Sequence, residues 1–284
     1  MKEILKLKNA SVKFKETLAL NDLSFSVYDN EIFGFLGPSG AGKTTAIKVL
    51  TKQLKLNNGS AYLFNQSLES LGNSVYDTLG IMTDSNDIYE GLSVLENLNL
   101  FADLRNVDRN QVELLLRQVG LWEDRSKLAK KLSKGMRQRL ILSTALIHKP
   151  KILFLDEPTA ALDPKTTLEI HTILRNLNQE GTTIFLTTHS MDEAEKLCDR
   201  IAFLDQGEIM EIGSKDELKL KYAQNKINVV YASGTRKLYE KSNDGLAQIL
   251  NDGKDDDILT IHSVEPSLED IFLDVTGRSD YELA

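Results

Sequence analysis

Residues 37–45 read GPSGAGKTT, and their spacing is what a phosphate-binding turn needs. Gly37, Gly42, Lys43 and Thr44 fit G-x-x-x-x-G-K-[ST], and Thr45 follows. In such a loop the glycines let backbone N–H groups turn inward around phosphate oxygens. Pro38, Ser39, Gly40 and Ala41 supply the intervening backbone, and the helix N-terminus behind it adds a positive partial charge. Lys43 would reach the outer phosphates of a nucleotide, and the Thr44 hydroxyl would ligate Mg²⁺. KILFLDE (151–157) supplies the complementary chemistry, because Asp156 and Glu157 emerge where an apolar run ends. Asp156 would hold Mg²⁺, and Glu157 would polarise an attacking water, a role contributing about 10²–10⁴ in rate. His189 closes TIFLTTH (183–189) and should reach the same sheet edge as Glu157, where it could contact a terminal phosphate. His148, His171 and His262 have no metal-ligand spacing and read as core or surface residues.

These groups must be carried by an α/β layer. EIFGFLG (31–37), the glycine loop and AIKVL (46–50) form a strand, turn and helix. KILFLDE, TIFLTTH and IAFLD (201–205) read as buried strands of a mostly parallel sheet, with the helical pattern 165–179 between the first two. IAFLDQGEIMEIG (201–213) predicts a hairpin turning at Gln206-Gly207, an antiparallel element beside that sheet. A helical insert at about 85–147 divides the strands. Ser93 with Glu96, and Asp108 with Gln111, have capping-box spacing before two helical patterns, and Gly120 stands where a helix would stop. Another such box, Ser214 with Glu217, opens a short helix, after which the character changes. The expected organisation is a domain over 1–220 and a small α+β extension over 221–284, with strands near 226–233 and 258–264.

At 284 residues, 41% hydrophobic and 27% charged, the chain has the composition of a globular protein. A net charge of -8 argues against a protein that grips nucleic acid through its whole surface, and no nucleic-acid partner is expected. Cys198, the single cysteine, cannot form an intramolecular disulfide and fits a reducing compartment. No apolar run approaches the ~20 residues that span a bilayer, and MKEILKLKNA does not read as a signal peptide. If the protein works at a membrane, another subunit must span it.

The phosphate loop, LSKGM (132–136), LDEPTAALD (155–163) and TTH (187–189) stand in an order that resembles the ATP-binding subunits of ABC transporters over residues 4–220. The resemblance implies a P-loop NTPase core that binds ATP and Mg²⁺, hydrolyses ATP, and pairs with a second ATP-binding subunit, identical or different. LSKGM looks like the family's signature, which implies that Ser133 and the amides near Gly135 serve the nucleotide bound on the partner. Asp163 matches the loop that crosses the dimer interface, Phe14 the aromatic residue that stacks on adenine, and His189 the switch histidine. Lys134 and Met136 depart from the usual signature, which has glycine and glutamine there. Asp84 stands where the family has a glutamine that links metal and transporter, and as a carboxylate it is a candidate Mg²⁺ ligand. EPSLEDIFLDVTG (265–277) is similar to the ending of ATP-binding subunits of drug and bacteriocin-type exporters. The resemblance thus implies an ATPase held peripherally at the cytoplasmic face of the membrane by a separate permease, the insert providing the contact. The alternatives are an importer subunit, or a permease-free ABC-type ATPase of DNA repair or translation, whose coiled-coil arms or second P-loop this sequence lacks.

Overall fold

The structure, a computed structural model, describes residues 2–83 and 88–277. The chain divides into two compact units, Met1–Ile212 and Gly213–Ala284, a few residues ahead of the boundary near 221 expected from the sequence.

In the first unit, β1 (Glu3–Phe14), β2 (Thr17–Tyr28), β4 (Asn58–Leu63) and β5 (Gln66–Ser67) form an antiparallel sheet ordered β2-β1-β4-β5. A second sheet contains β3 (Ile32–Leu36), β6 (Leu79–Met82), β7 (Ile152–Asp156), β8 (Thr183–Thr188), β9 (Arg200–Asp205) and β10 (Glu208–Ser214). Its order is β10-β9-β3-β8-β7-β6, and the β9–β3, β3–β8, β8–β7 and β7–β6 pairs are parallel. Every residue of β3, β7 and β8 is buried, which explains why their centres read as continuous apolar runs rather than alternating ones. Phe25 of β2 stacks on Phe33 of β3 at 5.6 Å and meets Phe35 and Phe185 at 5.3 and 6.1 Å. This aromatic cluster seals the antiparallel sheet onto the parallel one, and Phe25→Ala would cost about 3–5 kcal/mol by the usual scale for a buried phenylalanine. The β9–β10 hairpin turns at Gln206 and Gly207, both at positive φ (47° and 82°), as a two-residue type I′ connection requires.

Helix α1 (Lys43–Leu50) leads from β3 to β4 of the antiparallel sheet, while α5 (Pro164–Gln179) and α6 (Met191–Leu197) connect strands of the parallel sheet. The insert holds α2 (Val94–Leu104), α3 (Asn110–Gln118) and α4 (Lys134–Leu146). Ser93 and Glu96 form a reciprocal capping box on α2, and Gly120 adopts φ 69° just past α3. The start of α3 differs from the sequence expectation. Asp108 does not cap it; its carboxylate accepts from Asn110 N at 2.9 Å, an Asx turn that delays the helix.

In the second unit, α7 (Lys215–Lys221) opens with a Ser214–Glu217 capping box. The strands β11 (Lys226–Tyr231), β12 (Arg236–Glu240) and β13 (Ile258–Ser263) pair antiparallel in the order β12-β11-β13. With α8 (Asn243–Asp252) they enclose a small core of Ile227, Val229, Tyr231, Tyr239 and Ile249. Helix α9 (Leu268–Thr276) is capped by Ser267 and Asp270 and packs beside α7.

Candidate functional site

The glycine loop leaves β3 and enters α1 through Gly42, whose φ of 110° disfavours any side chain. A Cβ there would also collide with the Ala19 carbonyl, so the start of β2 runs against the loop. Gly37 N donates to Thr188 O at 3.3 Å and Ala41 N to Pro38 O at 3.2 Å, while Ser39 and Gly40 form the exposed tip. Thr45 is the third residue of α1 and half-buried. The Lys43 ammonium is buried and has three acceptors: Gly37 O at 2.7 Å, Pro38 O at 3.1 Å and Glu157 Oε1 at 3.2 Å.

The ends of β7 and β8 complete the cluster. Thr44 Oγ1 donates to Asp156 Oδ2 at 2.7 Å, and Thr187 Oγ1 donates to Asp156 Oδ1 at 2.5 Å. Both carboxylate oxygens are thus aimed by hydroxyls from neighbouring elements. Glu157 takes φ 51°, a left-handed conformation costing about 1–2 kcal/mol in a residue with a Cβ, and its N–H donates to Thr187 O at 3.0 Å. That turn carries its carboxylate between two basic groups: Oε1 faces Lys43, and Oε2 lies 2.6 Å from His189 Nδ1. The arrangement is a carboxylate held beside a glycine-rich turn, with hydroxyl and carboxylate oxygens next to it that could hold a hard divalent cation.

Ser133, Gly135 and Asp163 form a second group. Ser133 caps α4, accepting from Met136 N at 3.3 Å, and it is exposed. Gly135 is buried against Thr166 of α5, and a Cβ there would sit 2.5 Å from Thr166 Cγ2. Asp163 caps α5, accepting from Thr166 N at 3.1 Å and Thr166 Oγ1 at 2.6 Å, bonds that hold its carboxyl below the usual range. Lys134 Nζ donates to Ala161 O at 3.0 Å and Gln138 Nε2 to Pro158 O at 2.8 Å, tying this turn to the loop after Glu157. Phe14 lies half exposed at the β1–β2 turn, a few residues before Ala19 passes the glycine loop. Asp84 lies outside the described residues.

Sequence reasoning missed Thr187 and a largely buried group formed by Thr159, His171 and Glu193. The signal was present: the three threonines of β8, a strand buried on both faces, need hydrogen-bond partners.

A family model for ABC transporters matches residues 20–160, the span from β2 through the glycine loop to Asp156 and Glu157. The chain is 38% identical to a fluoroquinolone export ATP-binding protein of Mycobacterium tuberculosis, over 97% of this chain and 94% of that protein. The chain belongs to the ABC transporter ATP-binding family. It is also 35% identical to the daunorubicin/doxorubicin resistance ATP-binding protein DrrA of Streptomyces peucetius, over 75% of this chain and 66% of that protein. A bacterial ABC transporter cassette solved as a dimer superimposes with a TM-score of 0.67 at 28% identity, covering 74% of this chain and 98% of the cassette. The protein is therefore an ABC ATPase that binds and hydrolyses ATP. Among the described residues no helix is long and apolar enough to cross a membrane.

Proposed function

We propose that this ABC ATPase pairs with a second ATP-binding subunit, closes on ATP, and drives a separate permease that exports drugs, peptides or other small molecules. It works at the cytoplasmic face of the membrane, held there by that permease. The observation that carries the catalytic reading is the Glu157 carboxylate held between Lys43 and His189 above the glycine loop. Full-length similarity to an export ATP-binding protein supports the direction of transport.

All three N–H groups of Lys43 already have acceptors, so ATP binding exchanges at least one of them for a phosphate oxygen. When Glu157 is released from Lys43, its freed oxygen can accept the proton of the attacking water. His189, when protonated, donates through Nδ1 to Glu157 and through Nε2 to the terminal phosphate. Thr44 and Asp156 form an oxygen-only pair that suits Mg²⁺, which when bound neutralises charge on the phosphates. Asp84 is a further ligand on the strength of the sequence alone. Phe14 stacks on adenine. Ser133 and the amide of Gly135, at the exposed N-terminus of α4, contact the nucleotide of the partner, with Asp163 crossing between subunits. Closing and reopening of this pair shifts the permease between its two states.

Affinity purification from native membranes tests the proposal. It should recover a separate membrane-spanning permease, and reconstitution with that permease should raise ATP turnover further when a transported compound is added. Recovery without any permease, with turnover indifferent to membrane partners, would overturn the transport reading while leaving ATPase activity intact.

A further inference from the structure

Glu193 is a charged side chain in the interior, 4% exposed, on the first turn of α6. Its position three residues after the N-cap Ser190 gives S-x-x-E, the spacing that forms reciprocal capping boxes on α2 and α7. Here the box is incomplete. Glu193 N donates to Ser190 Oγ at 3.2 Å, but Ser190 N is served by Thr188 Oγ1 at 3.0 Å. The Glu193 carboxylate turns inward instead. It accepts from Thr159 Oγ1 at 2.6 Å, lies 3.1 Å from His171 Nε2, and is hydrogen-bonded by Thr188 as well. Burying a carboxylate is costly unless it is fully partnered, and these partners come from the loop after β7, from α5 and from the end of β8.

Two of the three lie beside the catalytic pair. Thr159 follows Glu157 by two residues, and Thr188 immediately precedes His189. The loop between them needs holding, because Glu157 sits at φ 51° and such strain persists only where the surroundings over-determine it. We infer that Glu193 is a positioning residue that fixes the exits of β7 and β8 against each other and so sets the Glu157–His189 contact. The inference rests on the reading of those two residues as catalytic. Glu193 touches neither nucleotide nor water in this role and acts only through them. Loss of the clamp should therefore lower turnover while leaving adenine and phosphate binding to the glycine loop.

The test compares Glu193→Ala, Glu193→Gln, His189→Ala and the double variant Glu193→Ala/His189→Ala, with Thr188→Val as a milder break. Single-turnover ATP hydrolysis and the Kd for a fluorescent N-methylanthraniloyl ATP are measured on each folded protein. Misplacing a reacting group by about 1 Å can cost on the order of 10²-fold, so Glu193→Ala should lower the hydrolysis rate at least about tenfold with Kd changed less than about threefold. Glu193→Gln keeps an acceptor for Thr159 and should recover most of the rate. In the His189→Ala background the Glu193→Ala loss should shrink to less than about threefold, because the clamp's target is gone. If His189→Ala alone leaves the rate unchanged, the catalytic reading itself fails. If His189→Ala is slow but the Glu193→Ala loss is undiminished in that background, only the positioning role is overturned. Should Glu193→Ala not fold, Thr188→Val carries the same comparison, and an undiminished rate there overturns the inference.

Discussion

Gly135→Ala tests how the signature turn is fastened to α5. Two effects oppose each other. Alanine is favoured over glycine in a helix by about 1 kcal/mol, which would stabilise α4. Against this, the new Cβ would lie 2.5 Å from Thr166 Cγ2, 2.9 Å from Oγ1 and 3.3 Å from Cβ. Carbon atoms pack comfortably at about 3.5–4.0 Å, so the two helices must part by roughly 1 Å or Thr166 must turn. It cannot turn cheaply, since its hydroxyl and N–H both hold the Asp163 carboxylate. Overpacking typically costs about 1–3 kcal/mol, and a contact this short against a pinned side chain belongs at the upper end. The net loss is about 2 kcal/mol, which lowers Tm by about 4–8 °C at the usual ~2–4 °C per kcal/mol for a domain of this size. ATP turnover should fall with it, because Ser133 and Asp163 are displaced relative to each other. Thermal unfolding of Gly135→Ala, Thr166→Ala and the double variant measures the coupling. In the Thr166→Ala background the penalty should vanish or reverse into the helix-propensity gain. A Gly135→Ala protein as stable as the parent, or one equally destabilised in both backgrounds, would refute the steric argument.

Glu157→Gln should cut turnover by about 10²–10⁴ while preserving ATP binding, since the amide cannot take the water's proton. The ATP-bound dimer should then accumulate in size-exclusion chromatography, and near wild-type hydrolysis would remove Glu157 from the base role. Ser133→Arg should spare ATP binding and block productive closure. If the protein is a homodimer, mixing that variant with Lys43→Ala should restore some activity by leaving one composite site whole, and proven heterodimers without recovery would count against sites that act independently across subunits. Asp84→Asn should raise the Mg²⁺ concentration needed for half-maximal turnover at saturating ATP, and superimposable Mg²⁺ activation curves would show that it is no ligand. Burial pushes the Glu193 carboxyl up, but hydrogen bonds from His171, Thr159 and Thr188 outweigh it and hold the group below its ordinary value of 4.5. A carboxyl depressed on folding stabilises the native state above its unfolded pKa and loses that contribution as pH falls through the folded one. The Tm gap between the parent and Glu193→Gln should therefore narrow as pH drops below 4.5, and a constant gap would contradict the assignment.

The candidate site's segments could be picked out in the sequence because the chemistry proposed for them is local. Gly37 to Thr44 must be contiguous for successive amides to face one ligand, and Asp156 and Glu157 are set by the length of a single buried strand. Ser93 and Ser214 announced their helices for the same reason, since a cap is satisfied within three residues. Asp108 shows the limit of that logic: two local bonds competed for one carboxylate, and the Asx turn to Asn110 prevailed. The sequence already expected Thr44 and Asp156 to share one site; what it did not show is that Thr187 joins them, which follows only from β8 lying between β3 and β7 in the sheet. Glu193 is the sharpest case. Its sequence context is that of an ordinary capping box, as at Glu96 and Glu217, and nothing within α6 distinguishes it from them. Thr188, two residues back, locally serves Ser190 N, and what then turns the carboxylate inward is tertiary: Thr159 and His171 offer a buried anion the hydrogen bonds it requires.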